Sequence, residues 1–437
     1  MAGSGPAPLP WPAARPAVRH SAGGWALVAV SAVVVVASLC AGLVTAVVPR
    51  AADPSASFHA AGQLDTPPAA DAPASDWNTW ARRAVDEEVG WQAAALVKGD
   101  EKAYLAPVDP DDSSLRTELR HRFEVLREMG VGQWTQEVRG RPDVTGELSW
   151  HADIRVNYCF GDSTCRLNSL VIGTDWRMDG EQLLLTDVDE SAEDQAGPRP
   201  WETGELAVAT GKRTVVASSP YLKYRLADTL KAAEKAAAVA DTLAHWYGPP
   251  SRYVIFLAGG SDWSSWYGFS KPEWSAGVYI NRTDNEVVIN STVHDPTETL
   301  VHELTHVATF AGKDAGRSEA TWWLEEGIAE YATMIGKPVS KYDAMAPTRT
   351  FVRKSWDGDP AVDRPSDDAS LDEAAARYGV AFLAVRRMAD LYGQNAMLDF
   401  FGAVVHEGTS LDDAAQAVFG KSWKTVSADC ASFIRDA

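Results

Sequence analysis

Leu300-Val301-His302-Glu303-Leu304-Thr305-His306-Val307 and Trp322-Trp323-Leu324-Glu325-Glu326-Gly327-Ile328-Ala329-Glu330-Tyr331 are the two stretches that decide how this chain is read. In the first, two histidines stand four positions apart. On a helix that spacing puts both imidazoles on one face, where each can reach a single ion at about 2.0–2.1 Å. Glu303, beside the first histidine, can then reach a water on such an ion rather than the ion itself. Helix signals surround the stretch. Asp295 is placed as N-cap, Pro296 at the first helical position, Glu298 as the capping-box partner and Gly312 at the end. Leu300, Val301, Leu304, Val307 and Ala308 supply a buried side.

Read alone, this pattern is equally two surface or core histidines on a helix. The second stretch changes the reading. Nineteen residues separate His306 from Glu326, room for one helix to end, a loop through Gly316 and a second helix to begin. Glu326 and Glu330, four apart, share a face of that second helix. Glu326 is the candidate third metal ligand, and Glu330 the group that orients a ligand histidine through its other ring nitrogen. Glu325 is read as part of a solvated acidic face.

His302-Glu303-Leu304-Thr305-His306 with Glu326-Gly327-Ile328-Ala329-Glu330 resembles the gluzincin metallopeptidases, the group that contains thermolysin and aminopeptidase N. The Trp-Leu-Glu-Glu-Gly-Ile-Ala-Glu-Tyr wording is most similar to peptidase-MA-like bacterial domains, and the resemblance spans roughly 205–437. It implies one zinc ion on His302, His306 and Glu326, an open fourth position, Glu303 as general base, and a peptide or protein substrate. Thr309 and Gly312 stand where a metzincin would carry its glycine and third histidine. The Gly-x-Met-Glu-Asn signature of aminopeptidases is also missing, Ala276–Asn281 being no substitute, so an endopeptidase is expected. Ala376-Arg377-Tyr378-Gly379-Val380-Ala381-Phe382-Leu383 resembles the segment where aminopeptidase-like gluzincins carry a tyrosine that donates to the oxyanion. Tyr378 is the candidate donor and His406 a weaker rival. His294 is expected to cap or pack. Trp263, Trp266, Tyr267, Phe269 and Trp274 are read as a local aromatic core, and Val287–Ile289 as a strand edge open to an extended substrate.

Working outward toward the N-terminus, Trp25–Val48 is a run of 24 uncharged residues, about 36 Å of helix and long enough to span a bilayer. Arg15 and Arg19 precede it and acids dominate after it. The positive-inside bias therefore predicts a cytoplasmic tail (1–24), a signal anchor (25–48), a tether (49–75) and an extracytoplasmic body. Cys40 lies within the apolar run. Cys159 and Cys165 flank a turn between two β-prone runs and are expected to close a disulfide in that oxidising compartment. Cys430 is expected to be a buried free thiol.

Helical patterns at about 76–98 and 113–129 precede β-prone runs at Gln133–Val138, Glu147–Tyr158, Arg166–Thr174 and Gln182–Val188. This 76–195 stretch is similar in pattern to the cone-shaped domains of the nuclear-transport-factor-like superfamily, and His151 is read as a strand residue without chemical role. After a break at Ser191–Thr203, Tyr221–Tyr247 is read as one long helix, Tyr253–Leu257 as a buried strand and Ser275–Asn290 as a hairpin. The fold class is α+β: an anchoring helix, a small α+β domain, then a mainly helical peptidase domain with a small sheet.

A formal net charge of −20 over 437 residues argues against a partner bound by neutralising phosphates, so no nucleic-acid partner is expected. Arg-over-Lys, Ala-rich usage fits a GC-rich bacterium. A membrane-anchored zinc peptidase is the favoured reading. Its rival is a non-catalytic binding or sensor protein with a structural zinc site. A fourth protein ligand separates the two, and no Cys or His at suitable spacing offers one.

Overall fold

In the computed structural model, residues 64, 66–191, 197–268, 275–280, 283, 285–310 and 318–437 are described. The anchor Trp25–Val48, the tail before it, most of the tether, Cys40, Phe269, Trp274, Asp284, Gly312 and Gly316 lie outside them. Among the described residues no helix is long and apolar enough to cross a membrane.

The described chain begins with helix α1 (Ala74–Lys98), which stops where Gly99 takes the left-handed conformation at φ 80°. Asp100 caps the short α2 (Glu101–Tyr104), and Asp112 caps α3 (Ser113–Glu128) by accepting from Ser114 and Leu115 N–H. Five antiparallel strands follow: β1 (Val131–Val138), β2 (Asp143–Gly146), β3 (Ser149–Phe160), β4 (Asn168–Asp179) and β5 (Gln182–Val188). They pair in the order β1-β3-β4-β5, with β2 on the first half of β3. Trp150, Ala152, Ile154, Val156 and Tyr158 alternate along β3 toward the core, the period of two that a sheet with one buried face requires. The β3–β4 turn is closed by the Cys159–Cys165 disulfide, Cα atoms 5.9 Å apart. His151 lies on β3 with its Nδ1 2.8 Å from Asp175 Oδ1 across the strand pair.

The second half is built on β6 (Ala207–Thr210), β7 (Thr214–Ser218), helix α4 (Leu226–Ala240), β8 (Tyr253–Ala258), α5 (Gly260–Ser265), β9 (Gly277–Tyr279) and β10 (Glu286–Asn290). The sheet runs β6-β7-β8-β10-β9, its three inner strands mutually parallel and its two outer strands antiparallel to them. Strands β2, β6 and β7 carry no sequence expectation. The long helix expected over Tyr221–Tyr247 is shorter, with 3-10 turns at Pro220–Arg225 and Asp241–Leu243 on either side of α4. The hairpin at 275–290 forms, but its outer arm is β9; Val287–Ile289 is flanked by β8 on the other side and is no edge.

Among the described residues seven α-helices follow: α6 (Thr297–Phe310), α7 (Trp322–Thr333), α8 (Met345–Lys354), α9 (Leu371–Tyr392), α10 (Gln394–Phe401), α11 (Leu411–Phe419) and α12 (Trp423–Asp436). The molecule is thus α+β, with helices dominating its C-terminal part. Asp295 accepts from Thr297 N–H at 3.0 Å ahead of α6, as a cap should. Glu298 does not complete a capping box; its carboxylate pairs with Lys337 at 2.7 Å. Cys430 is free and buried, and burial pushes its thiol up to about 12.

Every side chain of β7 and β8 is buried, because the second sheet is covered on both faces. Val216, Ile255, Leu257, Val287 and Ile289 face α4, α6 and the C-terminal helices. Val215, Ala217, Val254, Phe256 and Val288 face the core of the first sheet. Packing therefore runs across the 191–203 break. One dry polar knot crosses it too: Glu286, fully buried, accepts from Tyr158 and Tyr267 hydroxyls at 2.8 Å each and from Asn168 at 3.3 Å.

Candidate metal centre

Leu300, Leu304 and Val307 bury one side of α6 completely, and this fixes the azimuth of the remaining residues. His302 and His306 then face α7, which delivers Glu326. His302 Nε2 and Glu326 Oε2 are 3.0 Å apart, His306 Nε2 and Glu326 Oε2 3.1 Å, and the two Nε2 atoms 3.2 Å. Three acceptor-capable atoms this close need a proton or a cation between them. The separations approach the edge, about 3.3 Å, of a tetrahedron with bonds of 2.0–2.1 Å, so the set fits a divalent metal of zinc's size and taste for nitrogen and oxygen. His302, His306 and Glu326 form the one such cluster among the described residues, and no fourth protein ligand joins them there.

Glu330, one turn beyond Glu326 on α7, stays out of the triangle and holds His302 from behind, Oε1 to Nδ1 at 2.8 Å. That bond fixes which ring nitrogen carries the proton and leaves Nε2 aimed at the cluster. Burial opposes the charged form of His302, but the carboxylates of Glu326 and Glu330 outweigh it and hold the imidazole well above the ordinary histidine range. A proton and a dication thus compete for the same nitrogen.

Glu303 is almost fully buried and is not part of the ligand cluster. It lies against strand β9: a methyl group built on Gly277 would stand 2.7 Å from Glu303 Oε1. Tyr378, on α9, packs edge-on against Trp322 with ring centres 5.0 Å apart, and its ring is 6.0 Å from that of His302. The helices that carry these groups cross closely. A Cβ on Gly327 would meet the Ala381 carbonyl at 2.6 Å, which gives the glycine of the second motif a packing role.

Other sequence candidates fall elsewhere. Glu325 is not on a solvated face; it is fully buried and accepts from the Thr321 hydroxyl at 2.6 Å. The first two turns of α7 are buried throughout, so no face of them meets solvent. His406 spends Nε2 on the Thr309 carbonyl at 2.7 Å, at the end of α6. His294 is exposed, its carbonyl receiving Arg225. Trp266 and Tyr267 are buried in the core they share with the first sheet, and Trp263 packs at its border. No motif announces Tyr342, in the turn between α7 and α8; it is buried, and burial, with the Glu330 carboxylate nearby, pushes its phenol well above the usual range.

Residues 265–436 match the family model of the Peptidase MA superfamily. No curated protein matches the chain. Among solved structures it is similar to native yeast LTA4 hydrolase, at 17% identity and a TM-score of 0.35, covering 57% of this chain and 41% of that one. Yeast LTA4 hydrolase in complex with bestatin gives 15% identity and 0.35, with 64% and 44% covered. Native leukotriene A4 hydrolase from Saccharomyces cerevisiae gives 17% and 0.31, with 57% and 43% covered. The chain spans less than half the length of these relatives.

Proposed function

We propose that this chain is a membrane-anchored, extracytoplasmic zinc metallopeptidase, acting as an endopeptidase on extended peptide segments. The observation that carries this reading is the convergence of His302, His306 and Glu326 from two helices, with Glu303 beside them but outside the triangle. The superfamily match over 265–436 supports it. Three ligands with no fourth among the described residues favour an open, catalytic site over a closed, structural one.

A zinc ion held by His302, His306 and Glu326 would supply Lewis-acid polarisation of the scissile carbonyl and acidify a water. Glu303 accepts the proton of the attacking water and returns it to the leaving amine. Tyr378 donates to the oxyanion. Glu330 keeps His302 in the liganding tautomer. Strand β9, the outer strand on this side of the sheet and adjacent to Glu303, offers its backbone groups to an extended substrate in place of the inner Val287–Ile289. Trp25–Val48 serves as the anchor, and the 76–195 stretch as a nuclear-transport-factor-like module behind the peptidase sheet.

The test pairs metal content with cleavage of a peptide library. The wild-type chain should bind one zinc and lose cleavage to a chelator. Glu303→Gln should keep zinc and lose about 10²–10⁴ in rate. Glu326→Gln, which trades an anionic ligand for a neutral one, should lose zinc and activity together. Zinc loss in Glu303→Gln, or undiminished cleavage by it, defeats the assignment.

A further inference from the structure

Trp322, Glu326 and Glu330 recur every four residues along α7 and so share one face of it. Glu326 and Glu330 spend that face on His302, at 3.0 Å and 2.8 Å. Trp322, one turn earlier and 5% exposed, spends it on Tyr378: the two rings meet edge to face, centres 5.0 Å apart and planes at 81°. The half-buried Tyr378 ring also lies 6.0 Å from that of His302. The backbone beside it is held from another side. A Cβ on Gly379, the next residue, would overlap Thr348 of α8, a buried side chain whose hydroxyl donates to the Ala344 carbonyl at 2.6 Å. A tyrosine hydroxyl oxygen sits on the Cβ–Cγ axis, so once the backbone is set the single torsion χ1 decides where it lies. The edge-to-face contact with a buried indole restrains that torsion.

We propose that Trp322 is a positioning residue for the hydrolysis: it holds χ1 of Tyr378 and so keeps the phenol hydroxyl where the oxyanion forms. Its action runs through that hydroxyl and not through the metal. Helix α7 then serves both ends of the site, since the element that brings the ligand Glu326 also sets the donor. The inference rests on the zinc reading with Tyr378 as donor, and its experiment tells them apart.

Zinc per chain, kcat and KM are measured on one peptide taken from the cleavage library, with the full-length chain. The variants are Trp322→Met, Trp322→Phe, Tyr378→Phe and the two doubles that combine them. Tyr378→Phe should keep zinc and lose about 10²–10³ in kcat, as removal of an oxyanion donor does. Trp322→Met keeps bulk without a flat ring and should lose about tenfold, within the 10²-fold that a 1 Å misplacement can cost. Trp322→Phe, which keeps a smaller ring, should lose less. In both, KM should stay within about twofold of wild type, because the donor acts in the transition state, and zinc should remain bound. In the Tyr378→Phe background neither Trp322 substitution should slow kcat further, since no hydroxyl is left to misplace. A merely structural tryptophan would lower the rate by the same factor with or without that hydroxyl. Should Trp322→Met not fold, the same comparison is read on Trp322→Phe. Wild-type kcat in the Trp322 variants, a multiplied loss in the doubles, or loss of zinc from a folded Trp322 variant overturns the inference and leaves the zinc reading standing. Undiminished cleavage by Tyr378→Phe overturns the inference together with the donor role. A wild-type chain that takes up no zinc overturns the whole reading.

Discussion

A methyl group on Gly277 would stand 2.7 Å from Glu303 Oε1, 2.8 Å from Glu303 Cγ and 2.9 Å from Thr299 Cγ2. These distances are too short for real contacts, so Gly277→Ala must push either β9 or Glu303. Displacement of a catalytic group by a fraction of an ångström to 1 Å can cost up to about 10²-fold. We expect Gly277→Ala to retain zinc and to cleave at least tenfold more slowly; an unaltered rate would show that Glu303 is not the group that works on water. The shared face of His302 and His306, and that of Glu326 and Glu330, is legible in the sequence because each pair sits within about one turn of one helix, where the period alone fixes direction. Glu325 is misread for the complementary reason. Whether a helix face meets water depends on what distant chain packs on it, and α7 is covered on all sides in its first two turns. The burial of Tyr342 is invisible because it sits in an irregular turn, where no period links position to direction.

At the scale of elements, the crossing of α7 and α9 sets how near Tyr378 comes to His302. Gly327 permits it, since a Cβ there would lie 2.6 Å from the Ala381 carbonyl and 2.7 Å from Val385 Cγ2. The first obstacle is backbone and cannot turn aside. Gly327→Ala should therefore destabilise the fold by about 1–3 kcal/mol, as overpacking does, and urea unfolding should report it. A midpoint equal to the wild type's would mean the helices part without strain. The two element-level misreadings have one origin in non-local partners. The amphipathic pattern continues past Ala240, but Asp241 is held by Arg213 at 3.0 Å and by the Tyr253 hydroxyl at 2.8 Å, and the α-helix gives way to a 3-10 turn there. Likewise β10 looks like a hairpin arm until β8, some thirty residues earlier, pairs in parallel on its other side.

For the whole molecule, the second sheet has no face of its own to show to water. Residues 205–437 expressed alone would uncover Val215, Ala217, Val254, Phe256 and Val288, all fully buried in the intact chain. At about 25 cal/mol per Å² of apolar surface, such exposure is large beside the usual net stability of a domain. That fragment should be insoluble or bind a hydrophobic dye without a cooperative melt; a soluble, cooperatively melting monomer would show the two halves to be separable. The α+β class is legible in the order of helices and strands, whereas this shared core is not, since alternation tells that a strand has a buried side and never which neighbour covers it. The Glu286 knot extends the point to descent. Its carboxylate sits in the second half, yet Tyr158 and Asn168, which donate to it, are encoded in the first. A recombination event that joined the second half to a foreign partner would leave this buried carboxylate without those donors. The two halves are therefore constrained to travel through evolution as a single heritable block, although one of them carries all the proposed chemistry.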